Sequence, residues 1–86
     1  MTYTIEYDTQ AQKFLKKADK QTTKRIMDKV DELLLQTPVP HTAKSIVGEH
    51  GVFRVRIGDH RALYRVNYQE KKIIVFLIDK RGRVYD

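Results

Sequence analysis

GVFRVRIGDHRALYRV, from Gly51 to Val66, is the stretch on which the fold turns. It reads as two short strands of alternating character joined by a turn at Gly58 and Asp59. In the first strand Phe53, Val55 and Ile57 share one face while Arg54 and Arg56 share the other. In the return strand Ala62, Tyr64 and Val66 form one set and Arg61, Leu63 and Arg65 the other. Matching apolar face to apolar face leaves Arg54, Arg56, Arg61 and Arg65 together outside. One hairpin thus supplies half a core and a patch of guanidinium groups. Planar guanidinium donors engage two phosphate oxygens at once and stay charged, so the hairpin points to a polyanionic ligand.

Working outward, a turn region at Asn67 to Lys71 leads into IIVFLI, Ile73 to Ile78. This run is apolar on both faces, as in a central strand covered on both sides, or one covered by helices on one face and closed over on the other. Upstream, His41 to Glu49 is a connector in which Ser45 to Val47 adds a little strand. Before it, TPVP at Thr37 to Pro40 stops a helix, because proline cannot continue one and pushes its predecessor toward extended geometry. That helix is expected from Lys20 to Gln36, with Ile26, Val30, Leu33 and Leu34 inward, Met27 at the margin and a polar back of lysine and aspartate. A shorter helix precedes it, ending near Asp19 and carrying Ala11, Phe14, Leu15 and Ala18 at i, i+3, i+4, i+7. Asp8 and Thr9 supply its N-cap, and Thr9 with Gln12 has capping-box spacing. The connection between the helices allows only an antiparallel helical hairpin. Thr2 to Tyr7 alternates as a first strand with Tyr3, Ile5 and Tyr7 on its core face. The order β, α, α, then three or four strands gives an α+β fold of two layers: N-terminal strand, helical hairpin, then antiparallel sheet. Two helices separate the first strand from the hairpin, so it returns to lie beside another strand of that sheet.

The 86 residues are expected to form one domain, residues 1–86, in which most apolar side chains are used in a single core. A hydrophobic fraction of 41% with 33% charged residues excludes a disordered chain. No cysteine is present, which removes disulfides and thiolate metal sites. The N-terminus has no basic region followed by an apolar run, and no window approaches a membrane span, so a cytoplasmic location and no membrane partner are expected. The net charge of +6 is unevenly spread. Residues 1–43 hold seven Lys or Arg against six Asp or Glu, whereas residues 44–86 hold ten against five. Six of the seven arginines, all but Arg25, lie in the second half. Such weighting marks an anion site rather than a solvated helical surface.

His41, His50 and His60 have no cysteine or paired carboxylates at ligand spacing and read as isolated exposed histidines, so no metal and no cofactor is expected. No glycine-rich phosphate loop, nucleophile elbow or paired-carboxylate arrangement occurs. The second source of arginine is the tail, Lys80, Arg81 and Arg83, followed by Tyr85. Residues just past strand Ile73 to Ile78 emerge at a sheet edge beside the hairpin, and Gly82 lets the backbone approach a ligand closely. Tail and hairpin together make one concave basic site when that exit faces Arg54, Arg56 and Arg61. The alternative is a frayed terminus with solvated charges, against which Val84 and Tyr85 offer apolar bodies suited to docking.

On AKSIVGEHGVFRVRIGDHRALYRV, IIVFLI and KRGRVY, the whole chain resembles a RelE-type toxin of the RelE/ParE superfamily. The resemblance implies a RelE-like fold and metal-independent cleavage of messenger RNA in the ribosomal A site, with a cognate RelB-like antitoxin as partner. It implies that Arg61 holds the scissile phosphate, that Arg81 sits at the leaving group, and that Tyr85 assists attack by the RNA 2′-hydroxyl. Arg54 and Arg56 fall where the family often has lysines, and Lys44 aligns with a basic residue on the connector that meets ribosomal RNA. Arg65, Lys80 and Arg83 complete the expected RNA-binding set.

The chemistry can be weighed apart from the resemblance. Cleaving RNA through its own 2′-hydroxyl needs in-line geometry, stabilisation of the phosphorane charge and proton transfer. Arginine meets the second need and meets the third badly, because guanidinium does not deprotonate in proteins. Tyr85, beside Lys80, Arg81 and Arg83, is placed for cations to favour its phenolate. His60 is a reserve candidate, on the opposite strand parity from Arg61. Two other readings stay open: a non-enzymatic ParE-like toxin that poisons gyrase, and an RNA- or ribosome-binding module in which Tyr85 only stacks.

Overall fold

The computed structural model describes residues 2–80. In chain order these form β1 (Thr4–Tyr7), α1 (Thr9–Lys17), α2 (Lys20–Leu34), β2 (Lys44–Ser45), β3 (Val52–Ile57), β4 (His60–Asn67) and β5 (Lys72–Lys80). The decisive hairpin is β3–β4, with Phe53 opposite Tyr64, Val55 opposite Ala62 and Ile57 opposite His60. The five strands lie in the order β1-β5-β4-β3-β2. β2 to β5 pair antiparallel, and β1 returns beside β5 in parallel, so the sheet is mixed. This is the expected two-layer α+β arrangement, with the first strand joining the far side of the sheet.

The helices cover one face. α1 packs on β5 and β1, and α2 packs on β3. Ala11, Ile26, Val30 and Leu34 meet Val55, Ile57, Ala62, Tyr64, Ile73, Val75 and Ile78 in the core. IIVFLI, apolar on both faces, contains a bulge. Leu63 pairs with Leu77 and Tyr64 with Val75, so Phe76 is an extra residue that reverses the alternation. Ile73, Val75 and Ile78 thereby all reach the helices, while Ile74, Phe76 and Leu77 stay half-buried on the sheet's other face.

Caps fix the helix starts. Asp8 accepts from the Ala11 N–H at 3.3 Å. The Gln12 amide donates to the Tyr7 carbonyl at 2.6 Å, which replaces the expected Thr9–Gln12 capping box. Asp19, expected at the end of α1, is the N-cap of α2 and accepts from the Thr22 N–H at 2.7 Å. The Thr23 hydroxyl then donates to the Leu15 carbonyl at 2.7 Å, closing the helical hairpin. α2 ends two residues earlier than expected: the Leu35 N–H closes on Asp31 O, and Leu35 O accepts from Tyr3 N–H at 2.8 Å. The same bond holds the segment leading into β1, which starts at Thr4 rather than Thr2.

Two further expectations are corrected. The small strand is Lys44–Ser45, not Ser45 to Val47; the Ile46 N–H bonds Val52 O, the chain turns through Gly48 at φ 83, and Val47 is 97% exposed. His60 is not an exposed turn histidine. It opens β4 on the helix-facing parity, is 6% exposed, meets the Phe14 ring edge-on at 5.6 Å and places Nδ1 2.9 Å from Asp59.

The Thr22 N–H and hydroxyl hold the Asp19 carboxyl below the ordinary carboxylate range. A lowered native pKa stabilises the fold above the unfolded value of about 3.9, and that contribution is lost as pH falls through the native value. Asp19→Asn keeps a capping acceptor and removes the titration. Thermal unfolding at pH 7 and pH 3 should therefore show a smaller acid-induced drop in Tm for the variant; an equal drop would mean that the cap does not contribute to the acid dependence.

Candidate polyanion-binding groove

Cross-strand register sets the charged side chains in rows on the face away from the helices. One row is Lys44 on β2, Arg54 on β3, Leu63 on β4 and Leu77 on β5. The next is Arg56, Arg61 and Asp79. Like charges directly opposite destabilise a sheet, and Arg56 stands opposite Arg61. Asp79 flanks Arg61 on its other side with one carboxylate, leaving the row net positive. Arg61 is also 9% exposed, whereas Arg56 is exposed. Two opposed guanidinium groups, one of them buried, concentrate positive charge on this part of the sheet.

An open groove of ≈ 660 Å³ gathers these groups. Lys44, Arg54, Arg56 and Arg61 line it from the strands, Thr42 from the connector and Lys29 from α2. Leu33 and Val55 add apolar surface. Among the described residues the lining thus contains five cations and no carboxylate. Low-dielectric walls around charge of one sign strengthen its field.

The expected site residues divide. Lys44, Arg54, Arg56 and Arg61 come together. Arg65 does not join them: four residues along β4, about 13 Å at ordinary strand rise, its guanidinium lies 5.3 Å from the Phe76 ring centroid. Lys80 ends β5 opposite His60, exposed and outside the groove lining. Arg81, Arg83 and Tyr85 lie outside the described residues. His60, the reserve acid–base candidate, faces the helix layer rather than the groove. Two lining residues went unnoticed in the sequence, Lys29 and Thr42. Lys29 had a usable signal, since it falls between Ile26 and Leu33 at i+3, on the flank of the apolar stripe rather than on its polar back.

Two buried phenols are removed as bases. Burial, with the Asp31 charge nearby, pushes Tyr7 up to about 12. Burial raises Tyr64 further, and its hydroxyl donates to Pro38 O at 2.7 Å on the helix side of the sheet.

Fold and groove together define a small α+β domain with a basic groove, and a family match over nearly the whole chain shows that it belongs to the RelE/ParE superfamily. The family model for the ParE toxin of the type II toxin-antitoxin system, parDE, matches residues 5–85. Among solved structures the chain is similar to the archaeal RelE–RelB complex from Pyrococcus horikoshii OT3, at 30% identity and a TM-score of 0.76, covering 98% of this chain and 100% of that one. The RelBE2 toxin–antitoxin complex of Mycobacterium tuberculosis gives 24% identity and a TM-score of 0.82, covering 94% and 100%. The isolated E. coli RelE toxin gives 19% and 0.77, covering 95% and 87%, a likeness of fold. No curated protein matches the sequence. Among the described residues no helix is long and apolar enough to cross a membrane.

Proposed function

We propose that this protein is a ribosome-dependent endoribonuclease, the toxin of a type II pair, acting in the cytoplasm as a single domain of residues 1–86 without metal or cofactor. The observation that carries the reading is the groove whose described lining holds five cations and no carboxylate, with Arg61 buried at its wall. In the reaction the RNA 2′-oxygen attacks the adjacent phosphorus in line. The P–O5′ bond breaks, the 2′-hydroxyl proton leaves, and the 5′-oxygen gains a proton, giving a 2′,3′-cyclic phosphate and a 5′-hydroxyl.

Arg61, with Arg56 opposite, binds the scissile phosphate and stabilises the extra charge of the phosphorane. A charge fixed in a water-poor wall is worth more there than in solvent. Lys44 and Arg54 hold flanking phosphates or ribosomal RNA, and Arg65, Lys80 and Arg83 extend basic contacts beyond the groove. From the family resemblance, Arg81 takes the leaving-group oxygen and Tyr85 the 2′-hydroxyl. The protein thus provides electrostatics, and the ribosome orients the message. A RelB-like antitoxin is the expected partner, since relatives of this fold are solved as RelB complexes. A partner that covers the groove inhibits by charge complementarity.

The test is primer extension on a translated message with purified ribosomes. Cuts that appear only when ribosomes are present support the reading; absence of cuts from folded protein sinks it. The second reading, a ParE-like gyrase poison, is favoured by the family model that matches the chain. Loss of gyrase supercoiling without RNA cuts would establish it instead.

A further inference from the structure

We infer that Lys29 of α2 is a phosphate-binding residue, so that single-stranded RNA passes from Arg61 over the end of β3 that extends beyond its pairing with β2, and on to the helix layer. The inference rests on the ribonuclease reading and adds the path of the bound strand. The arginines of the β3–β4 hairpin by themselves would favour RNA lying flat on the outer sheet face, along Arg54, Arg56, Arg61 and Arg65. The groove takes another course. Its lining leaves out Arg65 and includes Lys29 and Leu33, one helical turn apart on α2.

Packing fixes that helical face. Ile26, Val30 and Leu34 are buried, and α2 rests on β3. Lys29, adjacent to Val30, is therefore held at the groove margin rather than on the outer back of the helix. Its side chain is 47% exposed, against 78% for Lys24 five residues earlier. The Lys29 ammonium lies 2.8 Å from Glu32, a residue that does not line the groove. A solvent-exposed pair of this kind is weak and readily exchanged for phosphate. Thr42, on the connector, adds a hydroxyl donor between the two layers. A flexible phosphodiester chain fits such a bent track of cations, whereas duplex RNA, recognised through its helical shape, does not.

Lys24 provides a matched control. It is on the same helix, carries the same charge and is paired with Asp28 at 2.7 Å, but does not line this groove. The experiment measures binding of a labelled single-stranded RNA, made uncleavable by 2′-deoxy substitution, across a salt series. Wild type, Lys29→Gln, Lys29→Arg and Lys24→Gln are compared. Each phosphate contact on a single strand contributes roughly 0.7 to the log–log salt slope, equivalent to about fivefold in affinity near 0.1 M salt. Lys29→Gln should lose about that slope and affinity, Lys29→Arg should retain both, and Lys24→Gln should match wild type. Equal behaviour of Lys29→Gln and Lys24→Gln, with wild-type binding intact, overturns the path and leaves the ribonuclease reading standing. Salt-independent binding by wild type overturns both.

Discussion

Arg61→Ala should reduce cleavage of ribosome-bound message by roughly 10²- to 10³-fold, the cost of removing one preorganised donor from a developing oxyanion. Three features of Arg61 underlie the expected size of this loss. It is the buried cation of the groove, with Arg56 opposite and Asp79 on the far side. It lies on β4, held between β3 and β5, so its guanidinium needs little reorganisation when charge builds on phosphorus. Its fork engages two oxygens at once, which a lysine ammonium does not, so Arg61→Lys should recover only part of the loss. Arg65→Ala is the contrast, one strand face shared but the side chain set over Phe76, and it should stay within about threefold of wild type on the same arithmetic of rate and free energy.

The Arg61 result must be separated from unfolding. Arg61→Ala truncates a buried side chain, so Tm is measured beside single-turnover cleavage, and Arg61→Lys, which keeps a cation at the position, should hold the wild-type Tm. Loss of cleavage with an unchanged Tm supports the assigned role. Wild-type rates from Arg61→Ala would remove Arg61 from the mechanism, whatever the groove binds.

What could be read in advance follows from which rules the residues leave unopposed. Alternation in FRVRI and HRALYRV, broken by Leu63, fixed the hairpin's faces, because a slip of one residue would expose Val55 and Tyr64 and bury Arg56. Alternation gives a face but no depth, which is why Arg61 was placed with the exposed arginines and proves buried between two neighbouring strands. IIVFLI carries no period, so its bulge at Phe76 has no sequence signal; only the pairing of Leu63 with Leu77 and Tyr64 with Val75 reveals it. His60 was assigned to the turn by its neighbours Gly58 and Asp59, yet its parity with Ala62 and Tyr64 already pointed inward. Lys29 was hidden differently. A lysine beside an apolar stripe reads as solvated until the facing strand is known.

Tyr64 links this sheet to the connector that feeds the groove, and its loss should be the most damaging single change to stability. It is fully buried in β4, with the Phe53 ring 5.8 Å away and its hydroxyl bonded to Pro38 O at 2.7 Å. Truncating a buried aromatic costs about 3–5 kcal/mol. In a chain of this size each kcal/mol moves Tm by about 4–8 °C. Tyr64→Ala should therefore lose at least about 12 °C, or fail to fold. Tyr64→Phe keeps the ring and removes one hydrogen bond, worth about 1 kcal/mol. The two variants also differ from wild type in alkali. Because the native phenol pKa of Tyr64 is raised, its contribution is fully present below the unfolded value of about 10 and is lost as pH rises toward the native one. Tyr7, raised to about 12, contributes in the same direction. Tyr64→Phe should thus flatten, without abolishing, the fall of Tm above pH 10, leaving the share that belongs to Tyr7. An alkaline profile identical to wild type would show that the Tyr64 hydroxyl is not held against Pro38 in solution. Loosening that bond frees the segment between Pro38 and Lys44, so Tyr64→Phe should weaken RNA binding through Thr42 and Lys44 even where the fold survives.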